Sequence, residues 1–197
     1  MTASDSDDAK NTLFSESDIE RYQDYRRSVL DRVAKGFMHE SERGCVIVGA
    51  ALLSEALERL LRASFRHAES DAEAIDMLFQ GYAPLSSLSA KTDISYASGI
   101  LPRHIRDKVN FVRRLRNDFA HESGPLDFRD SRYVDRIAPF VQEPRVIEIL
   151  KARGEEGEPR QVFVTSLAYT IAQISVLTEL VRKRVKFEEG KELDAPW

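Results

Sequence analysis

Apolar residues recur at intervals of three and four along the last long stretch of the chain, 160–187. The recurring residues are Phe163, Leu167, Ile171, Ile174, Leu177, Val181 and Val185. This spacing places their side chains on one face of an α-helix. Because a lone helix would leave such a face in water, it requires other helices against which to pack. The pattern therefore predicts a helical bundle.

Other stretches of the chain have the same helical spacing. In 40–67 the apolar positions cover roughly half the circumference of a helix, so this helix belongs in the middle of the bundle. Further helices are predicted at 17–35, 71–80, 86–98 and 102–122. The Pro- and Gly-containing segment 126–160 is expected to form short helices and loops. We predict an all-α, single-domain helical bundle with a long central helix and short extra helices.

Composition predicts where the domain begins and ends. Residues 1–15 are mostly polar, so we expect a disordered N-terminal tail, followed by the domain at 16–188 and a C-terminal tail at 189–197. The acidic start lacks the plan of a signal peptide, and no apolar run approaches the roughly 20 residues that span a bilayer. These features predict a cytoplasmic protein without a membrane partner.

The amino-acid composition and the motifs of the chain argue against several classes of function. The lone cysteine, Cys45, excludes an intramolecular disulfide and a cysteine-based zinc cluster. No phosphate-binding glycine loop, His-Glu-x-x-His or Gly-x-Ser-x-Gly motif occurs, and we expect no cofactor and no metal. The net charge of −4 argues against a globally basic nucleic-acid binder but leaves a local basic stripe open.

A stripe of this kind is predicted on the helix at 102–122. Seven basic or polar residues fall within an arc of about 100° on a helical wheel. They are Arg103, Arg106, Asn110, Arg113, Arg114, Asn117 and His121. The four arginines could hold RNA phosphates, or they could form a solvated face with ordinary ion pairs.

Arg116 interrupts the pattern because it falls on the apolar side, between Val109 and Phe119. An unpaired guanidinium there would be unfavourable, so Arg116 needs a carboxylate partner or an exit to a second surface. Glu55 is the candidate partner. The alternative is that Glu55 pairs with Arg59, four residues along the same helix.

Arg116 and His121 are about 140° apart around a straight helix, so one copy of the chain does not present both to one substrate. Two copies of the helix facing each other in a homodimer would assemble such a site. Arginine could then hold a phosphodiester while histidine acts on the ribose hydroxyl or the leaving oxygen. The simpler alternative is a solvated helix end, at which protonated His121 interacts with the last carbonyl groups.

The segment 116–121 (RNDFAH) resembles the arginine, polar residue, spacer, histidine motif of the HEPN superfamily. The resemblance implies a helical bundle that dimerises through these helices. In active members it also implies metal-independent RNA cleavage, with Arg116 and His121 catalytic and Asn117 supporting. A toxin or defence ribonuclease of this kind would have RNA as substrate and an antitoxin or activator as partner.

Three blocks resemble the mannitol operon repressor family: 52–56 (LLSEA), 84–91 (PLSSLSAK) and 96–100 (YASGI). This resemblance implies a transcriptional regulator. The chain contains no clear helix-turn-helix unit, so the second hypothesis is a non-enzymatic regulator that acts through protein partners. A third hypothesis is an inert bundle that binds RNA or nucleotides through the basic stripe.

Overall fold

The described part of this computed structural model comprises residues 16–66, 68, 70–121, 127–130, 133, 137, 140 and 143–189. Within these residues the secondary structure is helical. The helices are α1 (Glu16–Gly36), α2 (Glu42–Ser64), α3 (Ala72–Met77), α4 (Leu88–Ala97), α5 (Arg103–His121), α6 (Pro144–Arg153) and α7 (Pro159–Glu189). The predicted all-α bundle is confirmed. The predicted tail at 1–15 lies outside the described residues, as does 190–197, while Glu189 ends α7.

Two helices, α2 and α7, share the centre of the bundle. Helix α7 packs against α1, α2 and α6, and every residue of 162–170 is buried. Helix α2 also packs against α4 and α5. The two central helices approach closely at Gly49, where an added Cβ would lie 2.4 Å from Leu167 Cδ2. The absence of a side chain at Gly49 thus sets the spacing of the core.

Helix α5 lies against α2 and α4. Its predicted apolar face is confirmed, since all five of its members are buried: Ile105, Val109, Val112, Leu115 and Phe119. Near the end of the helix, the ring of Phe119 packs edge-on against Tyr133, with centroids 4.9 Å apart. Arg43 of α2 donates a hydrogen bond of 2.7 Å to the Phe119 carbonyl oxygen. This contact ties the end of α5 to the start of α2.

Polar side chains and a glycine define several helix ends. Ser41 accepts a hydrogen bond from the Gly44 amide at the start of α2, and Ser87 accepts one from the Ala90 amide at the start of α4. Gly154 ends α6 with a φ of 67°, a conformation that favours glycine. The described part of the segment 126–160 includes the 10-residue helix α6, in agreement with the expectation of short helices.

Helix α7 is long and apolar enough to cross a membrane, and an 18-residue window within Pro159–Val185 has a mean hydropathy of 1.4. However, 61% of that window is buried inside the protein, against the helices around it. Burial of this kind is what the central helix of a bundle requires, so length and composition alone do not make α7 a membrane span.

Candidate functional site

The exposed side of α5 carries most of the predicted site residues. Arg103, Arg114, Arg116 and Asn117 are exposed, whereas Arg106 and Arg113 are half-buried. The helix ends at His121, and the side chain of His121 lies outside the described residues. The structure thus presents a row of cationic side chains along one helix.

Only part of this row is open to a ligand. The Arg106 guanidinium lies over the ring of Tyr96 on α4, 4.4 Å from its centroid. The buried Arg106 Nε atom has no hydrogen-bond partner within the described chain. Arg113 donates to Asn110 Oδ1 over 3.3 Å, so it too is held against its own helix. The more accessible cations are Arg103, which lies 3.9 Å from Asp107, and Arg114.

Arg114 also lines a cavity of about 440 Å³ beside α5. Lys108 and Glu143 form an ion pair of 3.1 Å in its wall, and both side chains are largely buried. Phe111 and Phe140 supply stacked rings with centroids 5.0 Å apart. The cavity is therefore polar on one side and aromatic on the other.

The expected partnership between Glu55 and Arg116 is wrong. Arg116 leaves the apolar side of α5 and is exposed, and its Nη1 atom donates to Asn117 Oδ1 over 3.2 Å. Glu55 forms the alternative pair with Arg59, at 2.5 Å. The physical reason is the position of Glu55 on α2: it lines a groove shared with α1 and α7, away from the surface of α5. An exposed guanidinium is solvated and needs no buried carboxylate.

The structure brings Arg116 and Asn117 together at the end of α5. Both side chains are accessible, and each is available to a molecule that binds this end of the helix. The catalytic roles assigned to Arg116, His121 and Asn117 remain predictions, as does the assembly of a composite site from two copies.

A buried polar network between α2 and α4 was not predicted from the sequence. Lys91 is only 5% exposed, and its Nζ atom lies 2.7 Å from Glu58 Oε2 and 3.1 Å from Ser54 Oγ. Ser54 and Lys91 belong to two of the blocks, 52–56 and 84–91, that resemble the mannitol operon repressor family. These two blocks could have indicated the network in the sequence. A lysine that packs beside a long apolar helix must find a partner if it is buried.

The network continues from Glu58 toward α3. Arg62 donates to Glu58 Oε1 through Nε and Nη2, at 3.1 and 3.0 Å, and its Nη1 atom lies 2.6 Å from Asp76 Oδ1. The Arg62 guanidinium also covers the ring of Phe79 at 4.5 Å. Helix α3 contributes no buried residue of its own, so this arginine is a principal tie between α3 and the bundle.

Electrostatics keep this network ionised. Burial by itself would raise the pKa of Glu58, but hydrogen bonds from Lys91 and Arg62 outweigh burial and hold that pKa below its ordinary value. The carboxylate is thus charged at neutral pH and bound on both oxygens. Among the described residues no group of His, Cys, Asp and Glu is arranged to hold a metal ion. The network acts as a fastening between α2, α3 and α4.

Relatives of known identity match parts of the chain. It is 26% identical over 123 residues to the mannitol operon repressor of Escherichia coli strain K12, and equally so to that of strain CFT073. Each alignment covers 62% of this chain and spans 60% of the curated relative's own length. The fold is similar to the X-ray structure of the MtlR–HPr complex from Escherichia coli, with a TM-score of 0.61 and 22% sequence identity. That likeness covers 77% of this chain and 98% of the other.

A family model described as mannitol repressor matches residues 25–182. The match runs from α1 into α7 and includes the α2–α4 network and the whole of α5. Because it covers most of the chain, this protein belongs to the mannitol repressor family.

Proposed function

We propose that this protein is a non-enzymatic regulator that acts by binding a protein partner, and that the partner is HPr. The proposal is carried by the likeness of fold to a family member that was solved in a complex with HPr. Family membership over residues 25–182 supports the regulatory role. The exposed position of Arg116 and Asn117 suits a binding surface at least as well as a catalytic centre, which is normally shielded from water.

The partner surface we propose joins α4 and α5. It consists of Tyr96, Arg103, Arg106 and Arg114, and we call it the α4–α5 surface. Arginine and aromatic residues are enriched at the energetic centres of protein interfaces. Arg106 stacked on Tyr96 is already ordered, so less side-chain freedom would be lost on binding. The exposed Arg103 and Arg114 would attract an acidic patch of the partner.

Isothermal titration calorimetry with HPr from the same organism tests the proposal. Wild-type protein should bind, and the double variant Arg103→Glu, Arg114→Glu should bind about tenfold or more weakly because two attractive charges become repulsive. Arg182→Glu is the matched control, since Arg182 is an exposed arginine on α7, outside this surface. Absence of any binding of HPr by the folded wild type would refute the proposed partner. An unchanged affinity in the double variant would refute the surface only.

Metal-independent RNA cleavage by an HEPN-type site stays a second prediction. Its specific support is the accessible Arg116–Asn117 pair at the end of the helix that carries the motif. Wild type, Arg116→Ala and His121→Ala should be incubated with single-stranded and structured RNAs in EDTA, after circular dichroism has established that all three are folded. Cleavage by wild type alone, with cyclic phosphate ends, would support a ribonuclease. Equal inactivity of all three would leave the regulator as the better hypothesis.

The predicted homodimer bears on both functions. If two copies meet through α5, the dimer covers the α4–α5 surface, and dimerisation competes with HPr for it. Sedimentation velocity of the protein with and without HPr determines whether HPr and the second copy of the chain compete for this surface. A dimer that dissociates as HPr binds would support competition, whereas an HPr complex that retains two copies would place the dimer contact elsewhere. We expect both partners to meet in the cytoplasm.

A further inference from the structure

A cavity of about 370 Å³ lies between α1, α6 and α7, on a different part of the molecule from the α4–α5 surface. Pockets that hold small molecules have volumes of about 300–1,000 Å³. Part of the wall is apolar and includes Leu30, Ile149 and the ring of Tyr169, which is only 4% exposed. The cavity therefore has the size and the mixed lining of a small-molecule site.

Cations dominate the lining of this cavity. Four arginines and two carboxylates face it, which gives a formal net charge of +2 in a chain whose net charge is −4. We call it the arginine pocket. Both carboxylates are already paired: Glu148 with Arg145 at 2.8 Å, and Asp31 with Arg153 at 3.3 Å. The charge left over belongs to the two arginines of α1, Arg26 and Arg27.

Arg26 is the better placed of these two. Its guanidinium is half-buried over the ring of Tyr169, 5.5 Å from the centroid. Within the described chain, no carboxylate lies within 4.0 Å of it. Arg27 lies 3.9 Å from Asp24, with both side chains 78% exposed, so that pair is loose and solvated. A half-buried guanidinium without an acidic partner binds an anion more strongly than an exposed one does, because water screens it less.

Tyr169 adds a neutral polar group to the same place. Burial is the main cause that raises the pKa of its hydroxyl above the ordinary value. Nearby charges act on this pKa in both directions, and Arg26 lowers it. The hydroxyl therefore stays protonated at neutral pH and can donate a hydrogen bond.

We propose that the arginine pocket binds a small phosphorylated molecule, with the phosphate at Arg26 and Arg27 and the remainder against the apolar wall. A phosphate monoester carries a charge of about −1.5 to −2 at neutral pH, which matches the net charge of the lining. Guanidinium groups bind phosphate oxygens through paired hydrogen bonds. The ligand would bridge α1 and α6, which are joined directly by the Arg153–Asp31 ion pair. This proposal goes beyond partner binding and does not depend on it.

Calorimetric titration of the full chain with ribose 5-phosphate, compared with ribose and succinate, tests the proposal. Ribose 5-phosphate should bind, and ribose should not. Arg26→Gln should weaken binding about tenfold or more, since a charge-assisted hydrogen bond contributes that much. Glu148→Gln should strengthen binding, because it removes a competing carboxylate and releases Arg145. Arg182→Gln is the matched control and should leave binding unchanged, since Arg182 has an i,i+3 partner outside the pocket.

The two pocket variants change affinity in opposite directions, so a general loss of folding cannot mimic the expected result. Absence of binding of ribose 5-phosphate by the folded wild type would overturn the proposal. Equal affinity of wild type and Arg26→Gln would also overturn it. Binding of succinate as tight as that of ribose 5-phosphate would overturn the preference for phosphate.

Discussion

The substitution Lys91→Met removes the ammonium group at the centre of the α2–α4 network while keeping a side chain of similar length. Lys91 is 5% exposed and binds Glu58 and Ser54. After the substitution, Glu58 keeps its bonds to Arg62 but loses its closest cation. The change therefore tests whether this buried ion pair holds the fold together.

The expected loss follows from the burial of the two partners. Removing one member of a fully buried ion pair destabilises a protein by about 3–5 kcal/mol. The Glu58 side chain is 27% exposed and retains Arg62, so part of its charge stays compensated. We expect a loss of about 2–3 kcal/mol in the free energy of unfolding, which is below the range for a fully buried pair.

Urea unfolding followed by circular dichroism measures this free energy. Arg59→Met is the matched control, because Arg59 lies on α2, the helix that carries Glu58, and its ion pair with Glu55 is exposed. The control should lose less than about 0.5 kcal/mol. Glu58→Gln alone and combined with Lys91→Met completes a double-mutant cycle, in which the two losses should be less than additive.

Acid provides a second test of the same pair. The folded pKa of Glu58 lies below its ordinary value of 4.5. The stability contributed by the ionised group is thus present above the unfolded pKa and is lost as the pH falls through the folded pKa. The difference between wild type and Lys91→Met should accordingly shrink between neutral pH and strongly acidic pH. A difference that does not depend on pH, or additive losses in the cycle, would refute the reasoning.

Two further predictions concern the centre of the bundle. Gly49→Ala should lower the free energy of unfolding by about 1–3 kcal/mol, because its new methyl group would overlap Leu167. Gly157 has open space around it, so Gly157→Ala should change the free energy of unfolding by less than about 0.5 kcal/mol. Urea unfolding checks both, and an unchanged Gly49→Ala would show that Leu167 adjusts freely. Cys45 should react slowly with Ellman's reagent in the native protein and fast in urea, since its thiol is buried and burial raises its pKa; fast native labelling would contradict this.

The helices could be predicted from the sequence because local signals define them. Periodic apolar residues predicted 17–35 for a helix that spans Glu16–Gly36, and 160–187 for one that spans Pro159–Glu189. Helix α2 is shorter than the predicted 40–67, beginning after the cap at Ser41 and ending at Ser64. Ends depend on cap geometry, which periodicity does not contain.

The partners of charged side chains could not be predicted in the same way. A helical wheel placed Arg116 on the apolar side of α5, but a long flexible side chain reaches water from the edge of such a face. Glu58 and Lys91 are 33 positions apart, and only the packing of α2 on α4 brings them together. Contacts between helices require the crossing geometry, which depends on details such as Gly49.

The arginine pocket was missed for a related reason. Its residues come from three helices, and α1 lies far from the other two in the sequence. The first two of its arginines lie in α1, for which no function was predicted. The sequence contains an excess of arginine along 21–32, but such a pattern is as typical of a solvated helix face as of an anion-binding site.

The position of α7 at the centre has a consequence for how the protein is made. Helices α1 and α2 both lay their apolar faces on a helix that the ribosome synthesises after them. At roughly 5–20 residues per second, the 31 residues of α7 take about 2–6 s to synthesise. Until 159–189 has left the ribosome, the surfaces of α1 and α2 that pack against α7, including the one at Gly49, lack this partner. We therefore expect the nascent chain to expose these apolar surfaces to aggregation or to chaperones until α7 is complete.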